Sequence, residues 1–245
     1  MLNDFETIDP RERIMVALDC DMAQAFDLAD RLQGSAKWLK IGMTLYYAQG
    51  PAVIYALKER GFKVFLDLKF HDIPHQVNGA AASATRNGAD MLTMHAVGGV
   101  QMMQAAQLGA KQAAEDFGLD TPITLGITVL TSMDEEALQA IGVTRSVQDQ
   151  VTELAKLTQE AGLSGVVASA REAKDLRALL GPSAYIVTPG IRPAGADIGD
   201  QSRVATPAQA FADGASHLVI GRPITQASDP AQAFEDIVAD LSAQR

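Results

Sequence analysis

The sequence has few basic residues and a single cysteine. Lysine and arginine number 20 against 30 aspartates and glutamates, so the formal net charge is -10. A broad nucleic-acid surface needs clustered lysine and arginine for its phosphate contacts, and this balance argues against such a partner. The lone cysteine, Cys20, excludes an internal disulfide and a zinc site built on cysteines, and it suits a reducing compartment.

Long apolar runs are also lacking. No stretch approaches the roughly 20 apolar residues that a membrane helix needs. The N-terminus has no basic start leading into an apolar run, as a secretory signal would have. We therefore expect a cytoplasmic protein with no membrane partner. The composition, 47% hydrophobic and 20% charged over 245 residues, is that of a folded protein with a substantial core.

What the sequence does contain is a regular alternation of short apolar runs and longer, Ala-rich amphipathic segments. Most runs are apolar at odd and even positions alike, which is typical of parallel strands covered on both faces. They are IMVALD (14–19), WLKIGM (38–43), KVFLDLK (63–69), MLTMHA (91–96), ITLGITVL (123–130), GVVASA (165–170), YIVTPGI (185–191) and HLVIGR (217–222). Glycines between helical segments and these runs indicate successive βα units.

Eight βα units in 245 residues predict a single (β/α)8 TIM barrel domain over residues 1–245, with residues 1–12 as an N-terminal extension. A doubly wound open sheet is the alternative, but its G-x-G-x-x-G fingerprint is absent after the first strand. G-x-S-x-G is absent too, which disfavours acyl transfer. The four histidines form no metal-ligating pattern, and we expect no metal.

Charged residues lie at the ends of several predicted strands, where barrels of this kind build their active sites. Asp19 follows the first strand, Lys40 lies on the second, and Asp67 and Lys69 lie on the third, with Asp72 just beyond. Asp67 and Lys69 are two positions apart, so they share one face of the strand. One such pair could be a structural ion pair, but several charges of alternating sign at one end favour an active site.

A second polar cluster follows strands seven and eight, where GIRP (190–193) and IGRP (220–223) each place a glycine beside an arginine. The loops after these two strands often bind phosphate in such barrels. Backbone N–H groups and guanidinium groups suit an anion. We therefore predict a phosphate site at Arg192, Gly221 and Arg222, while the alternative is that both arginines pair with acidic neighbours on the surface.

Taken together and in this order, these motifs closely resemble the orotidine 5'-phosphate decarboxylase family, bacterial type. The matching residues are Asp19, Lys40, DLKFHDIP (67–74), LTS (130–132), GIRP, DQSRVATP (200–207) and VIGRPI (219–224). The D-x-K-x-x-D core is less specific, since related barrels that act on sugar phosphates also carry it. The resemblance implies a cofactor-free decarboxylation of orotidine 5'-monophosphate to uridine 5'-monophosphate (UMP) in pyrimidine synthesis, by a homodimer with sites at the subunit interface.

The resemblance also implies a role for each matching residue. Lys40, Asp67, Lys69 and Asp72 would form a charged tetrad, in which Lys69 protonates C6 and Asp72 is contributed to the partner's site. The residues expected to bind the substrate are Asp19, Lys40, Gln76, Thr131, Arg192, Gln201, Gly221 and Arg222. Many family members have DIPNT, with the threonine reaching across the interface. Here Gln76 stands in its place and keeps a donor and an acceptor on a longer stem.

Two other functions stay open on the sequence alone. One is a magnesium-dependent sugar-phosphate decarboxylase or aldolase of the same barrel group, which would need carboxylates that bind the metal. The other is a non-catalytic protein that binds a phosphate ligand, for which the charged tetrad would have no purpose.

Overall fold

The structure is a computed structural model that describes residues 5–193 and 205–243. Eight parallel strands close into a barrel in chain order, and the eighth pairs with the first. They are β1 (Ile14–Leu18), β2 (Trp38–Gly42), β3 (Lys63–Phe70), β4 (Met91–His95), β5 (Ile123–Ile127), β6 (Gly165–Val167), β7 (Tyr185–Thr188) and β8 (His217–Ile220). The predicted (β/α)8 barrel is confirmed, and each predicted run matches one strand, although β3 extends one residue past its run, to Phe70.

Helices cover the outside of the barrel. They are α1 (Met22–Leu32), α2 (Met43–Gln49), α3 (Ala52–Glu59), α4 (Pro74–Arg86), α5 (Val100–Phe117), α6 (Glu135–Ala140), α7 (Val147–Glu160), α8 (Ala173–Leu180), α9 (Pro207–Ala212), α10 (Arg222–Thr225) and α11 (Pro230–Ala243). Pro74 opens α4, where its missing N–H costs no helical bond. In the described ranges, no helix combines the length and apolar character needed to cross a membrane.

Two apolar clusters fill the space on either side of the strands. The inner cluster occupies the barrel interior and consists of Met15, Trp38, Phe65, Met91, Leu125 and Val187. The outer cluster lies between strands and helices and includes Leu66 and Leu68 of β3. Since side chains alternate along a strand, Asp67 follows Phe65 on the inward face. The fold thus places an acidic side chain inside the barrel near the carboxyl end of β3.

Aromatic rings close the amino end of the barrel. The His217 ring, at the start of β8, is stacked on Tyr185 with 5.4 Å between ring centroids, and it meets Phe5 edge-on at 5.8 Å. Burial lowers the pKa of His217 to about 3, and the charges of Arg13 and Lys63 act in the same direction. This end is therefore packed with neutral rings, and the open end lies at the carboxyl ends of the strands.

Candidate active site

A cavity of about 930 Å³ opens at the carboxyl ends of the strands. Its lining includes many of the side chains that the sequence predicts for the site, namely Asp19, Lys40, Asp67, Lys69, Thr131, Arg192, Gly221 and Arg222. Asp72 and Gln76 of the same chain do not line it. Gln201 lies outside the described residues.

The first ion pair in the cavity joins Lys40 to Asp19. Lys40 lies on β2 and is 8% exposed, whereas Asp19 follows β1 and is largely exposed. The Nζ of Lys40 donates to Oδ1 of Asp19 over 2.8 Å. Gly42, at the end of β2, leaves room for this pair, because a Cβ there would lie 3.2 Å from Asp19 Oδ1 and 3.3 Å from Lys40 Nζ. Sequence reasoning missed Gly42, although a glycine ending a strand can signal such a close approach.

The second ion pair joins Lys69 to Asp67, both on β3. The Nζ of Lys69 donates to Oδ2 of Asp67 over 2.7 Å. Both side chains are largely shielded from solvent, so the attraction is screened less than on a protein surface. The cavity thus contains a second lysine ammonium that is held by one carboxylate.

Arginines that follow β7 and β8 also line the cavity. Arg192 is 9% exposed and its backbone N–H donates to the carbonyl of Ala205 over 2.9 Å. Arg222 begins the short helix α10 directly after Gly221. Arg31 of α1 also lines the cavity, next to Asp27, so three guanidinium groups reach one cavity of an acidic protein.

Apolar side chains from the ends of β5 and β6 complete the lining. They are Ile127, Val129, Leu130, Val167 and Ala168. Apart from Leu130, which belongs to the LTS motif, sequence reasoning did not single them out, because apolar residues at strand ends look like any other core residues. Together with the charged pairs they give the cavity both apolar and charged walls, as is usual for a small-molecule site.

Asp72 and Gln76 lie on the surface beyond β3. Asp72 is exposed, and its Oδ1 accepts a 2.6 Å hydrogen bond from the backbone N–H of Ile73. Gln76, in the first turn of α4, is exposed as well. The structure therefore does not bring these two predicted site residues together with Lys69 within one chain.

His95 ends β4 beside the Lys69–Asp67 pair. Burial lowers the pKa of His95, and the nearby His71 and Lys69 lower it further. The rings of His71 and His95 lie 5.5 Å apart. These shifts favour the neutral form of His95 beside Lys69, while the carboxylate of Asp67 acts in the opposite direction on its pKa. Within residues 5–193 and 205–243, no group of three or more histidine, cysteine or acidic side chains is placed to hold a metal ion.

A closed barrel of eight parallel strands, with paired lysine and carboxylate groups and arginines around the cavity at its open end, defines a (β/α)8 barrel that carries charged side chains where such barrels build their active sites. The model of the orotidine 5'-phosphate decarboxylase / HUMPS family matches residues 12–237. The chain belongs to this family, which confirms the resemblance seen in the sequence.

Individual relatives agree with the family match. The chain is 49% identical over 242 residues to an orotidine 5'-phosphate decarboxylase of Moorella thermoacetica, which covers 98% of this chain and 96% of the relative. It is 46% identical over 232 residues to that of Aliivibrio fischeri, with 94% and 97% covered. The crystal structure of orotidine 5'-phosphate decarboxylase from Lactobacillus acidophilus superimposes with a TM-score of 0.84 at 37% identity, covering 94% of this chain and 99% of that one.

Proposed function

We propose that the protein converts orotidine 5'-monophosphate to UMP and CO2 without a cofactor, as a step of pyrimidine synthesis, and that Lys69 protonates C6. The family match and the names of the relatives carry the reaction class, which makes the chain an enzyme of the carboxy-lyase class. The observation that carries the mechanism is the 2.7 Å contact between Lys69 Nζ and Asp67 Oδ2 inside the cavity.

The Lys69–Asp67 geometry suits both steps of a decarboxylation. When the carboxylate leaves as CO2, its bonding electron pair stays on C6, and a nearby ammonium stabilises that charge. The same ammonium then gives its proton to C6 as a general acid, which leaves UMP as the product. An ammonium has three N–H donors, and Asp67 accepts from one of them, so the others can point at the substrate.

The rest of the cavity would bind the parts of the substrate that do not react. The Asp19–Lys40 pair offers a carboxylate acceptor and an ammonium donor to the ribose hydroxyls, and Thr131 would lie near the base. Arg192, Gln201, Gly221 and Arg222 would hold the phosphate. Binding energy from the remote phosphate can then be used to orient C6 against Lys69.

A homodimer is part of the proposal, with Asp72 and Gln76 reaching the partner's cavity. The support is an exposed apolar surface around Asp72 that suits a second copy of the chain. Ile73, next to Asp72, is 63% exposed. Segments that follow the neighbouring strands β2 and β4 add the exposed side chains Met43, Tyr47 and Val97. A cytoplasmic location is also proposed, and the single cysteine supports it.

The test is to mix the purified protein with orotidine 5'-monophosphate and follow the change in pyrimidine absorbance. We expect conversion to UMP by the intact chain and none measurable by Lys69→Ala. Lys156→Ala is the matched control, because Lys156 is an exposed lysine of α7 that pairs with Glu153 on the protein surface. No conversion by the intact chain would reject the decarboxylase proposal. Full activity of Lys69→Ala would reject the role of Lys69.

The same assay after treatment with a chelator distinguishes the proposed reaction from the magnesium-dependent alternative. We expect the rate to stay unchanged after treatment with EDTA and gel filtration. Loss of activity that is restored by Mg²⁺ would favour the sugar-phosphate decarboxylase or aldolase group instead.

A further inference from the structure

A threonine outside the cavity contacts both members of the Lys69–Asp67 pair. Thr93 lies at the centre of β4 and is fully buried. Its neighbours Leu92 and Met94 belong to the outer cluster, so the Thr93 side chain points into the barrel. Its Oγ1 donates to Oδ1 of Asp67 over 2.8 Å and accepts from the backbone N–H of Lys69 over 3.0 Å.

The backbone of β3 is irregular at the place where Thr93 meets it. Leu66 pairs with Leu92 and Phe70 pairs with Met94. Between these two pairs β3 advances by four residues, whereas β4 advances by two. An irregularity of this kind breaks the ladder locally and turns a side chain in a new direction.

Lys69, inside this irregular stretch, has a φ of 53°. Among the described residues other than glycine, it alone has a positive φ. A left-handed backbone is unfavourable for a lysine, so surrounding contacts must hold it.

The contacts that hold Lys69 form a closed ring. The Lys69 N–H donates to Thr93, the Thr93 hydroxyl donates to Asp67, and the other Asp67 oxygen accepts from the Lys69 ammonium. The single hydroxyl proton of Thr93 is used on Asp67, and one of its lone pairs is used on Lys69. One side chain therefore fixes both the backbone of the lysine and the carboxylate that orients its ammonium.

We infer that Thr93 is a positioning residue, which aims the Lys69 ammonium by holding the strained backbone of Lys69 and the carboxylate of Asp67 together. The inference rests on the proposed function of Lys69 as the proton donor. Thr93 does not line the cavity, so its effect on the reaction must act through Lys69 and Asp67.

The decisive variant is Thr93→Val, which keeps the branched shape and removes the hydroxyl. It leaves the Lys69 N–H and Asp67 Oδ1 without this partner, so the lysine backbone can relax and the ammonium moves away from C6. We expect kcat to fall about tenfold to a hundredfold, the usual range for a hydrogen bond to a charged group. The Kd of UMP should stay within about twofold, because the groups proposed to hold the ribose and the phosphate are untouched.

Two further variants make the test specific. Thr93→Ser keeps the hydroxyl, and we expect it to recover most of the activity that Thr93→Val loses. Thr188→Val is the matched control, because Thr188 is also a buried strand threonine but its hydroxyl has no hydrogen-bond partner in the described parts of the chain. It should keep the activity of the unmodified enzyme. If Thr93→Val does not fold, as judged by circular dichroism, Thr93→Ala takes its place with the same expected loss of kcat.

The outcomes separate this inference from the proposed function. A kcat of Thr93→Val within about twofold of the unmodified enzyme would overturn the positioning role, as would a serine variant no better than the valine variant. A loss of UMP affinity equal to the loss of kcat would overturn it too, since it would indicate general distortion. In each case, conversion by the intact chain and its loss in Lys69→Ala would leave the proposed function standing.

Discussion

Lys40 and Asp19 are 21 positions apart in the chain, yet their side chains meet in a 2.8 Å hydrogen bond at the mouth of the barrel. Lys40 comes from the interior and is nearly buried, whereas Asp19 faces the open cavity. The pair therefore presents a donor and an acceptor together where a ligand can reach them.

Asp19→Asn should weaken substrate binding. The amide keeps an oxygen acceptor but loses the charge, and it leaves the buried Lys40 ammonium without its carboxylate. We expect the KM for orotidine 5'-monophosphate to rise about tenfold, with a smaller change in kcat. Steady-state kinetics provide the measurement. Asp30→Asn, which removes a surface ion pair with Arg60, is the control and should behave as the unmodified enzyme. An unchanged KM in Asp19→Asn would contradict the binding role.

Arg192→Ala should reduce the advantage of a phosphorylated substrate. The guanidinium of Arg192 is almost buried at the cavity, so its loss removes a fixed positive charge. We expect kcat/KM for orotidine 5'-monophosphate to fall about a hundredfold, and kcat/KM for orotidine, which has no phosphate, to change much less. The measurement is kcat/KM for each of the two substrates, determined with Arg192→Ala and with the unmodified enzyme. Arg86→Ala, at an exposed position of α4, is the control. Equal losses for both substrates would argue against phosphate recognition by Arg192.

Two inactive variants should restore activity to each other if Asp72 acts across the interface. Lys69→Ala lacks the proton donor and Asp72→Asn lacks the carboxylate expected in the partner's site. In a mixed dimer, one of the two sites contains both intact groups, so we expect up to about a quarter of the normal activity in an equimolar mixture after subunit exchange. Native mass spectrometry verifies the exchange. Verified mixed dimers without activity would show that Asp72 does not serve the partner's site.

His217 should make the protein less stable in acid. Its pKa is about 3 in the folded protein against an ordinary value of 6.5, because burial among rings disfavours the charged form. Between these values the unfolded chain binds a proton that the folded one does not. The contribution of this neutral histidine is therefore complete above pH 6.5 and is lost as the pH falls toward 3. The steepest loss is about 1.4 kcal/mol per pH unit.

Urea unfolding at several pH values measures this effect. We expect His217→Phe to show a shallower decline in the free energy of unfolding between pH 6.5 and pH 4 than the unmodified protein, because the variant lacks the titrating ring. His75→Asn changes an exposed histidine and should leave the curve unchanged. Parallel curves for His217→Phe and the unmodified protein would rule out His217 as a source of acid sensitivity.

The sequence by itself determined the barrel. A strand that is covered on both faces must have apolar side chains pointing to each face. This requirement is visible in runs such as IMVALD and KVFLDLK. The sequence also placed Asp19, Lys40, Asp67 and Lys69 at strand ends, because charged residues that interrupt or end an apolar run are easy to recognise. Asp72 and Gln76 were predicted with them, but the single chain leaves both outside its own cavity.

Only the tertiary structure decided which of these groups touch. Thr93 looks like an ordinary residue of the run MLTMHA, and nothing near it in the chain points to Asp67, 26 positions away. The left-handed backbone of Lys69 has no sequence signal either, since lysine shows no preference for it. Both features arise from the register between β3 and β4. Register depends on how all eight strands close on one another, and local periodicity contains no information about that closure.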